Sequence, residues 1–396
     1  MASILVSGGR KIVGTARVSG AKNAALPILA ASVLTEETVV LQGVPMISDV
    51  RKMTDILTML GCRIRCGGHT LTLDAGGLNR TEMPDALSKQ IRSSIFLLGP
   101  ILSRFRQATV TYPGGCEIGL RPIDLHLSGL RSLGVVIHEE GGVIHCDGGN
   151  MHSGEVHLDY PSVGATENIL MAAVLLPEIS VIHNAAREPE IVDLANFLNK
   201  MGAKIKGAGT DTIKIEGVDR LHGAKHTVIP DRIEAGTFML AAAITRGALH
   251  IQNVVPDHVK PIIAKLRECG VRIEVGDEEM IVRGDLGPHM ATDIKTLPYP
   301  GFPTDIQSPF MTYLTTVEGS STVIETVFEN RFMHVAQLNK MGASIEAAGS
   351  KAVIRGNAKL RGCEVMATDL RAGAALVLAG LVAEGETEIS EIYHIE

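Results

Sequence analysis

LGCRIRCGGHTLTLD, residues 60–74, carries a pattern that returns four more times along the 396-residue chain, starting at residues 133, 201, 269 and 341. In each copy a glycine follows a helical pattern, and two alternating apolar and polar segments joined by a glycine-rich turn come next. The recurring glycines are Gly61, Gly134, Gly202, Gly270 and Gly342. The pattern predicts a repeated unit of about 70 residues that contains a helix ending at glycine and a β-hairpin.

A second pattern, an apolar helix that opens with a polar or charged turn, occurs six times, at residues 19–31, 90–102, 162–176, 230–244, 303–317 and 368–382. Helices that are apolar on nearly every side belong in domain interiors, so we expect buried helices and outer sheets. Six helix patterns against five glycine patterns leave the sixth unit incomplete. We therefore expect the 396-residue sequence to be a truncated or partly ordered form.

Three units per domain give one domain at residues 21–229 and a second formed by residues 1–20 and 230–396. The polar starts of the buried helices are then expected to face a cleft between the domains. Free N–H groups and the positive end of the helix dipole make such starts suitable anion sites.

Composition excludes several classes of protein. A net charge of -7, 3% aromatic residues and no tryptophan argue against nucleic-acid binding. No apolar run is long enough for a membrane span, and the N-terminus lacks a signal-peptide pattern, so we expect a cytoplasmic protein without a membrane partner. The scattered cysteines form neither a disulfide framework nor a zinc motif, and Cys62, Cys269 and Cys363 are interpreted as structural.

The stretch TYPGGCEIGLRPIDLH, residues 111–126, places Cys116 directly after Pro113, Gly114 and Gly115. This composition predicts a loop, where functional residues are often found. An incidental cysteine in a surface turn is the alternative.

Charged residues gather at the starts of the buried helices and in nearby loops. The set comprises the cations Lys22, Arg92, Arg121, Arg331 and Arg371 and the carboxylates Asp49, Asp124, Asp305 and Asp369. Solvated charges or structural ion pairs are the alternative for any one of them.

Motifs along the whole chain, at residues 20–27, 113–126, 161–173, 300–307, 325–335 and 368–380, resemble those of the UDP-N-acetylglucosamine enolpyruvyl transferases, which are 1-carboxyvinyltransferases. The resemblance implies two inside-out α/β barrels of three repeats each. It also implies transfer of enolpyruvyl from phosphoenolpyruvate to the sugar 3′-hydroxyl with release of phosphate. This is the first committed step of peptidoglycan synthesis, and cell-wall biogenesis, cell shape and division depend on it. No cofactor and no metal are implied.

The resemblance also implies roles for individual residues. Cys116 lies on a lid loop, donates a proton to the methylene carbon of phosphoenolpyruvate, forms a covalent adduct with this substrate and is alkylated by fosfomycin. Asp305 is the candidate general base, and Lys22 with Asn23 matches the phosphoenolpyruvate site. The nucleotide-sugar site is matched by Arg92, Arg121, Pro122, Ile123, Asp124, Leu125, Ser162, Val163 and Gly164, and Asp49 is counted with the substrate-binding residues. The opposite wall is matched by Val327, Arg331, Asp369 and Arg371, of which Asp369 and Arg371 are counted with the catalytic residues.

Two alternatives stay open at this point. One is 3-phosphoshikimate 1-carboxyvinyltransferase, and the other is a catalytically silent paralogue that binds a UDP-sugar. The motif PGGCEIGLRPIDLH argues against the first alternative. The joint presence of Cys116, Asp305 and Lys22 argues against the second.

Overall fold

The computed structural model describes residues 2–83, 92–112 and 123–395. These residues form two compact units. The central unit comprises residues 20–83, 92–112 and 123–229, and the terminal unit comprises residues 2–19 and 230–395.

The described strands are β1 (Ile4–Ser7), β2 (Val13–Arg17), β3 (Val39–Gln42), β4 (Arg63–Gly67), β5 (Thr70–Asp74), β6 (Gln107–Thr111), β7 (Val136–Glu140), β8 (Val143–Asp147), β9 (Glu155–His157), β10 (Ile179–His183), β11 (Lys204–Lys206), β12 (Thr212–Glu216), β13 (Lys225–Thr227), β14 (Ala248–Gln252), β15 (Arg272–Val275), β16 (Glu279–Arg283), β17 (Ile294–Lys295), β18 (Ser320–Ile324), β19 (Ser344–Ala348), β20 (Lys351–Arg355), β21 (Glu364–Met366) and β22 (Glu386–Ser390). The described helices are α1 (Lys22–Ala31), α2 (Ser48–Met59), α3 (Leu98–Phe105), α4 (Asp124–Ser132), α5 (Val163–Ala173), α6 (Pro189–Lys200), α7 (Arg232–Ile244), α8 (Lys260–Glu268), α9 (Gln307–Thr315), α10 (His334–Lys340) and α11 (Leu370–Val382).

The strands form three sheets in each unit. In the central unit the strand orders are β13-β3-β5-β4, β6-β8-β7 and β11-β12-β10-β9. In the terminal unit they are β15-β16-β14-β2, β17-β18-β20-β19 and β1-β22-β21, so the N-terminal strands β1 and β2 complete sheets whose other strands come from the second half of the chain. Each four-stranded sheet combines one parallel pair with two antiparallel pairs. The repeat in the sequence is therefore a repeat of sheet topology.

The recurring glycines end helices as the sequence predicts. All five have a positive φ, for example 111° at Gly61 and 92° at Gly270, a conformation that glycine adopts without a steric penalty. At each glycine the following residue donates its N–H to a carbonyl of the last helical turn, as Cys62 does to Leu57 at 3.0 Å. This is the bond of a Schellman cap. A β-hairpin then follows each cap, so this prediction is confirmed.

The helices that the second pattern predicts lie in the cores. In the terminal unit α7, α9 and α11 pack on one another, and every residue of α9 is buried. In the central unit α3 packs on α5, and in α1 all residues from Ala24 onward are buried. In most strands buried residues alternate with more exposed ones, so each sheet turns one face toward a core. The predicted α/β class is confirmed. In the described part of the chain, every helix is too short or too polar to cross a membrane.

Candidate active site

In the central unit, the start of α1 brings two of the predicted substrate-binding residues together. Lys22 is the first residue of α1, and Asn23 follows it. The Nζ atom of Lys22 lies 3.2 Å from Oδ2 of Asp49, which belongs to the first turn of α2. Both side chains of this ion pair are partly exposed. A carboxylate at this distance holds the ammonium group at the helix start, where an anionic ligand is also favoured.

A buried polar network in the same unit connects three elements that carry predicted site residues. Asn168 of α5 donates from Nδ2 to the carbonyl of Ile95 and to Nδ1 of His126, both at 2.8 Å, and its Oδ1 accepts from the N–H of Gly99 at 2.8 Å. Ile95 belongs to the 3₁₀-helix Arg92–Leu97, and His126 lies on α4 beside Ile123, Asp124 and Leu125. The network therefore fixes Arg92 and the start of α4 relative to α5.

His126 is held in its neutral form. Burial, with a smaller contribution from the nearby guanidinium of Arg92, lowers the pKa of His126 to about 3. A neutral ring can accept the hydrogen bond from Asn168 at Nδ1 and carries its proton on Nε2. The His126 ring lies directly against the start of α5. A Cβ atom added to Gly164 would lie 3.1 Å from Nε2 of the ring, which is closer than ordinary van der Waals contact.

The start of α5 holds the predicted nest of Ser162, Val163 and Gly164. Ser162 is the N-cap of the helix, and its Oγ accepts from the N–H of Ala165 at 3.3 Å. All three residues are partly exposed, so the N–H groups of the first turn lie near solvent. This arrangement suits a phosphate or a carbonyl oxygen of a ligand.

In the terminal unit, Asp305 lies between two arginines. Its Oδ1 accepts from Nη2 of Arg331 at 2.7 Å, and its Oδ2 accepts from Nη2 of Arg371 at 2.7 Å. The side chain of Arg331 is 2% exposed and that of Asp305 is 24% exposed, so the carboxylate faces solvent while one of its partners is buried. Charge-assisted bonds of this length are strong and fix the carboxylate in one orientation. The sequence named all three residues but not their pairing.

Asp369, which the resemblance counts with the catalytic residues, lies at the N-cap of α11. Its Oδ1 accepts from the N–H groups of Arg371 and Ala372 at 2.9 and 3.1 Å, and the residue is 3% exposed. The cap fixes the backbone that carries Arg371. Burial by itself would lower the pKa of Arg371, but nearby carboxylates, with Asp305 first among them, raise the pKa above its ordinary value. Arg371 is therefore a permanent cation.

Glu325 is a residue that sequence reasoning missed. It is 2% exposed, and its Oε1 accepts from the N–H groups of Val327 and Phe328 at 2.8 and 3.2 Å. Its Oε2 accepts from the hydroxyl of Thr304 at 3.0 Å, one residue before Asp305. Glu325 thus connects the predicted Val327 segment to the segment of Asp305. Its position in the matching stretch ETVFENRFMHV was the only available signal.

His334 is a second buried group beside the arginines. Neither ring nitrogen has a hydrogen-bond partner among the described residues. Burial lowers the pKa of His334 to about 4, with the nearby Arg331 acting in the same direction and Asp369 opposing it. The neutral ring therefore adds no charge beside Arg331.

Some predicted site residues lie outside the described residues, namely Cys116, Arg121 and Pro122. Among the described cysteines, Cys62, Cys146 and Cys269 are buried, and burial raises the pKa of each thiol to about 12. Such thiols are inert near neutral pH. Cys363 is half-buried and Cys66 is exposed.

Chemically, each unit offers cations and hydrogen-bond donors at the start of buried helices. The terminal unit adds one partly exposed carboxylate with a fixed orientation. A carboxylate has about four acceptor positions, so Asp305 can accept a further hydrogen bond while both arginines stay bound. The arrangement suits an anionic substrate and the removal of a proton from a hydroxyl group.

A family model described as EPSP synthase (3-phosphoshikimate 1-carboxyvinyltransferase) matches residues 6–396. The chain is 54% identical over 385 residues to UDP-N-acetylglucosamine 1-carboxyvinyltransferase 1 of Caldanaerobacter subterraneus subsp. tengcongensis, which covers 97% of this chain and 92% of that protein. It is 51% identical over 401 residues to UDP-N-acetylglucosamine 1-carboxyvinyltransferase of Finegoldia magna, and this alignment covers 100% of this chain and 94% of that protein.

Solved structures agree on the fold. The crystal structure of the enolpyruvyl transferase NikO from Streptomyces tendae superposes with a TM-score of 0.90 at 24% identity and covers 99% of this chain and 94% of that one. EPSP synthase from Acinetobacter baumannii gives a TM-score of 0.75 at 18% identity and covers 99% of this chain and 95% of that one.

Proposed function

The chain belongs to the family of EPSP synthase (3-phosphoshikimate 1-carboxyvinyltransferase), and on that premise we propose that it transfers the enolpyruvyl group of phosphoenolpyruvate to the 3′-hydroxyl of UDP-N-acetylglucosamine and releases phosphate. Relatives that share about half of their residues with this chain over nearly its whole length are named UDP-N-acetylglucosamine 1-carboxyvinyltransferase, the enzyme of this reaction. The structural observation that carries the proposal is the carboxylate of Asp305, held between Arg331 and Arg371 at the start of a buried helix.

The reaction is an addition followed by an elimination. Asp305 accepts the proton of the sugar hydroxyl while the hydroxyl oxygen bonds to C2 of phosphoenolpyruvate, and Cys116 delivers a proton to C3. In the second step C3 returns a proton to the Cys116 thiolate, the double bond re-forms, and phosphate leaves from C2 and takes up the proton that Asp305 had accepted. Protons and leaving group balance, and no oxidant or metal is required.

The cations have a separate task. The fixed guanidinium groups of Arg331 and Arg371 and the ammonium of Lys22 stabilise the carboxylate and phosphate charges of phosphoenolpyruvate and of the adduct. Arg92, Asp124 and the start of α5 bind the UDP-sugar. The network around Asn168 and His126 positions these elements.

Two further features belong to the proposal. Cys116 forms an adduct with phosphoenolpyruvate and is the residue that fosfomycin alkylates. The protein acts in the cytoplasm and catalyses the first committed step of peptidoglycan synthesis.

The test is a phosphate-release assay with phosphoenolpyruvate and either UDP-N-acetylglucosamine or shikimate 3-phosphate. We expect release with the UDP-sugar and only background release with the shikimate ester. The opposite preference would assign the chain to the activity for which its family model is named. Tight binding of the UDP-sugar without any release would favour the silent paralogue.

A further inference from the structure

Two histidines and a glutamate lie together on the outer face of a sheet in the central unit, and none of the three is assigned to the transfer reaction. Glu155 and His157 are two residues apart on the edge strand β9, so their side chains lie on the same face. His183 is the partner of His157 in the parallel register of β9 and β10. Strand pairing alone therefore brings the three side chains together.

The ligand atoms of these side chains converge. Oε2 of Glu155 lies 3.6 Å from Nε2 of His157 and 3.6 Å from Nε2 of His183, and all three atoms lie within 4.8 Å of one another. The two imidazole rings are stacked, with centroids 4.3 Å apart and planes inclined by 12°. Because the nitrogen lone pairs lie in the ring planes, one exposed ring has to turn about its side-chain bonds for both nitrogens to bind the same ion. In a tetrahedral zinc site with bonds of about 2.0 to 2.1 Å, ligand atoms are about 3.4 Å apart.

The Nε2 atom of His183 is shielded from solvent and has no hydrogen-bond partner among the described residues. A shielded ring nitrogen without a partner is costly, because it has lost its contact with water. A metal ion bound to this lone pair removes that cost. His157 and Glu155 are exposed, so an ion can reach the site from solvent.

We propose that Glu155, His157 and His183 bind a divalent transition-metal ion of the zinc class. Two imidazole nitrogens and one carboxylate oxygen form a ligand set that such ions prefer, and water completes the coordination. The ion links the edge strand β9 to β10. Because the chain runs from His157 to the N-cap Ser162 within five residues, the ion also holds the segment that leads into α5. The proposal is independent of the transfer reaction.

The experiment uses the full chain without a histidine tag, after removal of metals with a chelator. Zn²⁺ binding is measured by calorimetry, and Co²⁺ binding by the visible absorption that reports coordination geometry. We expect one ion per chain, with a dissociation constant on the order of micromolar or below. Loss of a partner outside the ligand shell commonly weakens metal binding by about 10- to 100-fold. His157→Ala and His183→Ala should weaken it at least as much and abolish the Co²⁺ band.

His250→Ala is the matched control. His250 Nε2 lies 2.7 Å from the Glu279 carboxylate on a sheet of the terminal unit, and within the described residues this pair is not part of a three-ligand group. The His250→Ala control should bind Zn²⁺ with the same affinity as the wild type. Glu155→Gln keeps the size of the side chain and tests the site if a histidine variant does not fold. Absence of Zn²⁺ binding by the wild type, or equal affinity in the wild type and the folded ligand variants, would overturn the proposal.

Discussion

Asp305 accepts a strong hydrogen bond from an arginine on each of its two oxygens, and in the proposed reaction it removes the proton of the sugar hydroxyl. We predict that Asp305→Ala lowers kcat by about 10²- to 10⁴-fold, the usual range for loss of a general base. UDP-sugar affinity should change less than the rate. Steady-state kinetics together with calorimetric titration of the UDP-sugar measure the two effects.

Asp285→Ala is the matched control for this substitution. Asp285 also accepts two bonds from an arginine, Arg283, at 2.9 and 3.0 Å, but it lies outside the candidate site. The control should keep full turnover. If Asp305→Ala turned over normally while sugar affinity collapsed, Asp305 would be a binding residue and the base would lie elsewhere.

Cys116 is predicted to be the cysteine whose modification stops turnover. Cys116→Ser should be inactive, since an alcohol is a far weaker acid than a thiol, whereas Cys116→Asp should keep part of the activity and resist fosfomycin. Activity is assayed before and after fosfomycin treatment. The control is Cys66→Ser, because Cys66 is exposed but distant in sequence from the loop motif. Full activity of Cys116→Ser would remove Cys116 from the acid role.

The first turn of α11 is stabilised by the side chain of its N-cap residue, Asp369. Asp369 accepts two N–H groups of the first turn, and asparagine is as good an N-cap as aspartate. We predict that Asp369→Ala lowers the free energy of unfolding by about 0.5 to 2 kcal/mol and reduces kcat through displacement of Arg371. Asp369→Asn should keep both the free energy of unfolding and the kcat of the wild type. A folded Asp369→Asn variant that stays inactive would show that the charge itself takes part in catalysis.

The helix α5 contains a carboxyl group with no hydrogen-bond partner among the described residues. Burial, followed by the neighbouring Glu190 and Glu188, raises the pKa of Glu167 well above its ordinary value. As pH rises above 4.5, the unfolded chain loses this proton while the folded chain keeps it. The contribution of Glu167 to stability therefore falls with rising pH until its folded pKa is reached.

We predict that Glu167→Gln, which is neutral at every pH, removes this loss. The variant should gain stability relative to the wild type as pH rises above 4.5, as measured by urea unfolding at a series of pH values. The control Glu216→Gln changes an exposed carboxyl whose pKa is lowered by its hydrogen bond to Lys204. An equal pH dependence in the wild type and Glu167→Gln would show that Glu167 is ionised in the folded protein.

The sequence predicted the elements better than the contacts between them. Gly61 and its four equivalents report a local backbone conformation, so the caps and hairpins could be predicted without tertiary information. Several buried contacts of Asn168, His126 and Glu325 join residues that are more than twenty positions apart in the sequence. A periodic sequence pattern reports neighbours within one element, so it could not predict these contacts. Asp369 shows the same limit, because the motif match did not indicate that its side chain also caps α11.

At the scale of the whole molecule, the repeat places two kinds of chemistry in two units. The central unit carries Lys22, Arg92 and the nest at Ser162, whereas the terminal unit carries the candidate base Asp305 between Arg331 and Arg371. The central claim is that this set of residues adds a sugar hydroxyl to phosphoenolpyruvate and then eliminates phosphate. An assay of phosphate alone does not distinguish this route from simple hydrolysis.

The most direct test is to run the reaction in D₂O with phosphoenolpyruvate and UDP-N-acetylglucosamine and to examine the sugar product by NMR and mass spectrometry. We predict an enolpyruvyl ether on the 3′-oxygen with deuterium in its methylene group, because C3 gains a solvent-derived proton in the addition and loses one of three in the elimination. Phosphate release without a modified sugar, or an ether whose methylene group carries no deuterium, would contradict it.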